Sequence, residues 1–290
     1  MTQIVYKHKL DATPNVKSKI FRLAPVRANE RKLVSLSKKY KLSGDNRKAE
    51  IIKTSDALFY KENNFEVSVN KFSGATRFID LQKWQYDDGI SNISFKETEA
   101  KEIADKFIQS HSLAKKTDYQ LHKVTKLEVG SLDSRTNKAN TRIIDLGVVF
   151  QRVIEGIPVE GPGGKIIVYI DANKEVTGCD MLWRDITSTY RSLPAKQLKS
   201  PLSFERSLNY ISRRLRLPKV TVEDMRFGYF EDDFEYRQLF MQPVYIAPYT
   251  VSSEDGRFIT KSFHIFNAAM KPVGKFRYPR IQFDREPKRT

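Results

Sequence analysis

Apolar and polar residues alternate along several stretches of the chain, as at Phe65, Val67 and Val69, and again at Ile166, Val168 and Ile170. A period of two sends successive side chains to opposite faces, so these stretches predict strands with one buried face. Elsewhere the apolar period lengthens to that of a helix. Leu33, Leu36 and Tyr40 form one stripe, predicting a helix over 29–42. Ala100, Ile103, Ala104, Phe107 and Ile108 form a second, over 95–110, and Phe204, Leu208, Ile211 and Leu215 a third, over 203–216. Ser94 and Glu97 have capping-box spacing, and Ser203 stands where a cap would satisfy free backbone N–H groups. Gly44 and Pro218 are stop signals, and turns are predicted at Glu62-Asn63-Asn64 and Ser73-Gly74.

Each predicted helix accompanies β-rich sequence. A helix with antiparallel strands, occurring three times, predicts an α+β fold of repeated modules, each one helix packed on a curved antiparallel sheet. The expected boundaries fall near Asp88 and Leu193, giving modules over 1–88, 89–193 and 194–290, the last with a basic C-terminal tail.

The stretch VVFQRVIEGIPVEGPGGKIIVYIDANKEVTG has an apolar strand with Gln151, then a corner at Gly156, Ile157, Pro158, Val159 and Gly161. A second strand follows, ending at Asp171. This pattern resembles the PepSY and thermolysin-type propeptide domains, and SFKETEAKEIADKFI resembles the helix that opens such a repeat. The resemblance implies a PepSY/cystatin-like fold without catalysis, and a role in inhibiting or chaperoning peptidases or in binding other proteins as a regulator. As a partner-binding edge, the corner would use the backbone form of Gly156, Pro158 and Gly161. Arg152, Glu155 and Glu160 would place charge beside it. The plainer reading is that the corner ends a core strand.

Charge widens the field of partners. The 290 residues hold 51 Lys+Arg against 35 Asp+Glu, a net +16, which favours acidic partners. The candidate anion or nucleic-acid contacts are Arg213, Arg214 and Arg216 in RRLRLPK, and Arg277 and Arg280 in the tail. No nucleic-acid motif accompanies them, so they support nonspecific binding at most. No apolar run is long enough for a membrane span, and the N-terminus lacks the apolar block of a signal peptide. The expectation is a cytoplasmic protein, or an exported one whose signal was removed.

Little in the inventory supports catalysis. His8, His111, His122 and His264 have no zinc-ligand spacing, and Cys179 stands alone. EGPGGK lacks the phosphate-loop pattern and reads as a hairpin loop; EDDFE (231–235) reads as an exposed acidic loop, and WRDITSTYR as a linker. No catalytic residue, metal or cofactor is expected. The leading expectation is a non-catalytic regulatory or inhibitory protein that binds another protein, a peptidase among the candidates, through exposed sheet edges. The alternative is a small-molecule-binding protein or unusual enzyme with an aromatic-lined pocket between sheet and helix. RFGYFEDDFEYRQLF would supply the aromatics. Nonspecific nucleic-acid binding is third.

Overall fold

Alternation at period two dominates the chain, and strand dominates the structure. In the computed structural model strands hold 48% of the described residues and helices 18%. The structure describes residues 3–8, 12–45, 49–84, 93–133, 138–214, 219–252 and 259–274. In chain order it begins with β1 (Gln3–Tyr6), β2 (Ser18–Leu23), α1 (Glu30–Lys39) and β3 (Glu50–Lys53). There follow β4 (Ala57–Glu62), β5 (Phe65–Asn70), β6 (Thr76–Asp80) and α2 (Glu97–Ser110). Next come β7 (Tyr119–Asp133), β8 (Lys138–Ile154), β9 (Ile157–Glu160), β10 (Lys165–Asp171), β11 (Val176–Leu182) and β12 (Ile186–Leu193). The last are α3 (Pro201–Arg214), β13 (Lys219–Val222), β14 (Arg226–Phe230), β15 (Phe240–Met241), β16 (Pro243–Ser252) and β17 (Ile259–Asn267).

The chain forms two compact units. One comprises residues 23–185 and 231–238, and the other residues 1–22, 186–230 and 239–290. In the first, the strands run β9-β8-β10-β11-β6-β5-β4-β3, with β7 along β8. Both α1 and α2 lie on this one sheet. Leu33 and Tyr40 of the α1 region share a core with Ala100, Ala104 and Ile108 of α2 and with Tyr60, Val67 and Val168 of the strands. The second unit has the order β1-β13-β16-β14, with β17 on β16 and a separate three-stranded sheet β12-β2-β15. There α3 buries Phe204 and Leu208 against Val220, Tyr245 and Val251.

The expected α+β fold of three repeated helix-on-sheet modules is therefore corrected: the protein is mostly β, with large mixed sheet. Two pairings break the modular pattern. β6 pairs with β11 (Phe78 opposite Cys179), which fuses two strand sets that the sequence separates by a helix and a long ribbon. β1 runs parallel to β13 (Ile4 opposite Val220), which no succession of hairpins would produce. Local patterning does not encode either long-range pairing.

The helices lie close to where their stripes place them, but two caps differ. Asn29 caps α1, its side chain accepting from the Lys32 N–H at 2.9 Å. α2 begins at Glu97 behind Lys96, which makes no side-chain cap bond, so Ser94 is not the cap. α3 starts two residues before Ser203: Pro201 occupies the first position, where its missing N–H costs nothing, and the Ser200 hydroxyl accepts from Leu202 at 3.3 Å.

Candidate functional site

The corner is a tight hairpin. β8 turns into β9 through Glu155 and Gly156, both at positive φ (51° and 81°), which matches the turn that follows the twist of paired strands. These two residues are exposed, Pro158 and Gly161 are partly buried, and Glu160 is buried. β9 and β10 both pair with β8, so Gly161–Gly164 is a loop between two segments on one neighbour rather than the expected hairpin loop.

That loop receives a strap from far along the chain, residues 231–238. The Glu231 N–H donates to the Glu160 carbonyl and the Gly163 N–H to the Glu231 carbonyl, both at 3.0 Å. The approach is so close that a Cβ on Gly163 would lie 2.6 Å from Glu231 Cγ and 2.7 Å from the Asp232 carbonyl oxygen. Only glycine fits there.

Arg184 clamps the strap. Its guanidinium donates through Nη1 to the Asp232 carbonyl (2.7 Å) and through Nη2 to the carbonyls of Asp233 (2.7 Å) and Tyr236 (2.8 Å). Nη1 also reaches Glu231 Oε1 at 3.3 Å, and the Arg184 backbone N–H donates to the same oxygen at 2.8 Å. Arg152 stacks on Trp183, its guanidinium carbon 4.7 Å from the ring centroid. Its Nη1 donates to the Arg184 carbonyl at 2.7 Å and stands 3.8 Å from Glu231 Oε2. Burial pushes the Glu231 carboxyl above its ordinary pKa, and the two arginines oppose that shift. The expected exposed acidic loop thus has a fully buried first residue, and the expected linker supplies its counter-ion. EDDFE alone could not have shown this, because the partner of Glu231 lies 47 residues earlier.

Of the expected anion contacts, Arg213 is exposed near the end of α3. Arg214 closes the backbone of that helix, its side chain lying outside the described residues with Arg216, Arg277 and Arg280. The chemically reactive groups are scattered. Cys179 is buried and its thiol pKa is pushed up by burial and by Asp180. His264 is 3.4 Å from the Ser207 hydroxyl, and burial lowers its pKa to about 4. Among the described residues no three metal-ligating side chains cluster, and no helix is long and apolar enough to cross a membrane.

The sequence patterns did not single out β7 for itself. It is fifteen residues long and, among the described residues, pairs only with β8. No described strand pairs with its other flank, which is an edge among the described residues. Leu121 and Leu127 are 40% and 42% exposed, and His122, Lys123 and Lys126 are exposed between them. Register shifts at Leu121/Lys123 and Leu127/Glu128 bracket a regular run from Lys123 to Leu127.

No family model and no curated protein matches the chain. Among solved structures, the chain is similar to an uncharacterized protein from Eubacterium rectale, with a TM-score of 0.57 and 13% identity, covering 95% of this chain and 91% of that one. At that identity the likeness is one of fold.

Proposed function

We propose that this is a non-catalytic binding protein that holds an extended segment of a partner protein against the free edge of β7. The observation that carries this reading is a fifteen-residue strand with one flank paired and, among the described residues, no strand on the other. An edge strand presents a row of backbone donors and acceptors, and the simplest way to satisfy them is to add another strand. Exposed Leu121 and Leu127 would give such a strand apolar contacts, while Lys123 and Lys126 favour acidic side chains on it. The resemblance to PepSY domains makes a peptidase one partner class to try.

The corner has a different part in this reading. Arg152, Glu160 and the neighbouring glycines serve the strap, and Glu155 and Gly156 alone of the six expected contact residues are exposed.

The test is capture of a partner by the wild-type chain and by a Leu121→Lys/Leu127→Lys variant. Both side chains are already solvent-facing, so the variant should melt as the wild type does. Its capture of the partner should fall about tenfold, the loss expected where the two leucines are among the few contact residues that carry most of the binding energy. Equal capture by both would reject the β7 edge.

A further inference from the structure

We propose that the face of the same sheet away from α1 and α2 carries a second binding site, a groove for a short peptide segment that is both basic and apolar. It does not depend on the edge reading. Helices α1 and α2 cover the face of the sheet formed by residues such as Tyr60, Val67 and Val168. The alternate residues face the other way, and the register sets Ile167, Asp180, Arg77, Ser68 and Phe59 in one row across five strands. A groove of about 470 Å³ lies over this row, with Asp233 and Phe234 of the strap in its wall. That volume falls in the usual range for ligand sites. Phe234 is 49% exposed, an aromatic ring left half in water at the rim.

The lining has a definite chemistry. Phe59, Ile79, Ile167 and Leu182 make it apolar. At its centre Arg77 donates to Asp180 through Nε at 2.5 Å and Nη2 at 2.7 Å, and the Tyr169 hydroxyl donates to the same carboxylate at 3.1 Å. These central charges satisfy each other. Around them the lining holds the carboxylates Asp56, Glu66 and Asp233 and one further cation, Lys165. The Lys165 ammonium bonds the carbonyls of Val159 and Gly163, and Lys61 meets Glu66 at 3.3 Å. With Lys61 beside Glu66 included, four carboxylates face three cations, a small acidic excess on a chain of net +16. That local sign selects a basic group, and the apolar floor selects its neighbours. The groove is about half open to solvent, which suits a segment that continues beyond it better than a molecule to be enclosed.

Two fluorescein-labelled peptides, acetyl-Leu-Lys-Phe-Lys-Leu-amide and its counterpart with Glu for Lys, test this by anisotropy on the full chain. At about 0.15 M salt, long-range attraction to the basic surface is damped. The lysine peptide should bind about tenfold more tightly than the glutamate peptide. Phe234→Ala and, separately, Asp233→Asn should each weaken it several-fold while the melting temperature holds. Equal or tighter binding of the glutamate peptide overturns the proposal, as does indifference to both variants. If phenethylamine alone competes as well as the peptide, the site is one for small amines and the peptide assignment falls. Loss of binding in the Leu121→Lys/Leu127→Lys variant, with Phe234→Ala unaffected, would put the peptide on β7 instead; that outcome overturns the groove and leaves the edge reading standing.

Discussion

Arg184 and Glu231 are joined twice, through the backbone N–H at 2.8 Å and the guanidinium at 3.3 Å, with side chains 3% and 0% exposed. Removing one member of such a pair leaves a buried charge uncompensated, at a cost of about 3–5 kcal/mol. Arg184→Ala also strips donors from three strap carbonyls, so it should lower the melting temperature well beyond Glu231→Gln, which keeps the shape and removes the charge. Thermal unfolding of the two variants side by side checks the order. A milder loss in Arg184→Ala would mean that the strap is held by something else.

The same carboxyl sets a pH dependence. Its pKa is higher in the folded state than in the unfolded chain, so the folded state binds the proton more tightly. Its contribution to stability therefore falls as pH rises above the ordinary carboxylate pKa, about 4.3. Glu231→Gln should remove that falling component. Chemical denaturation of wild type and variant at pH 4, 5.5 and 7 measures it.

His264 works in the opposite sense. Burial lowers its pKa to about 4, so the unfolded chain takes up the proton first, and stability is lost as pH falls from about 6.5 towards 4. Substituting Phe, which suits the contacts with Phe204, should flatten that acid limb. The check is the melting temperature at pH 7 and pH 4.5. A variant as acid-sensitive as the wild type would acquit the histidine.

Gly163 and Gly156 should answer differently to alanine. At Gly163 the new Cβ would strike Glu231 and the Asp232 backbone; at Gly156 nothing lies within 4 Å, and the strain comes only from φ of 81°. A loss of about 1 kcal/mol at Gly156 reflects left-handed backbone alone, while Gly163→Ala should cost more and loosen the strap. Denaturant unfolding of both distinguishes the clash from the conformational term.

Much of the local structure was legible in the sequence. The stripes at Leu33, Ala104 and Leu208 and the turn at Asn63 (φ 53°) carry their own short-range signals. What escaped was long-range: Phe78 opposite Cys179 across the fused sheet, and Arg184 against Glu231. A buried acid and an exposed one have the same letter, and only the fold supplies the arginine. The free flank of β7 escaped for a similar reason, since an edge is defined by the neighbour it lacks. The groove lies on the sheet face away from the helices, not between sheet and helix as the aromatic-pocket alternative supposed, though Phe234 does come from the stretch expected to line a pocket.

Amide hydrogen exchange across β7, in the free chain and with a captured partner, addresses the edge itself. A strand added to that flank should protect alternate amides between Lys123 and Leu127, those whose N–H groups point away from β8, and slow their exchange about a hundredfold or more, as expected for amides entering a stable hydrogen-bonded ladder. Unchanged exchange along β7, with new protection confined to other parts of the chain, would show that the partner binds elsewhere and that the free edge is not the recognition surface.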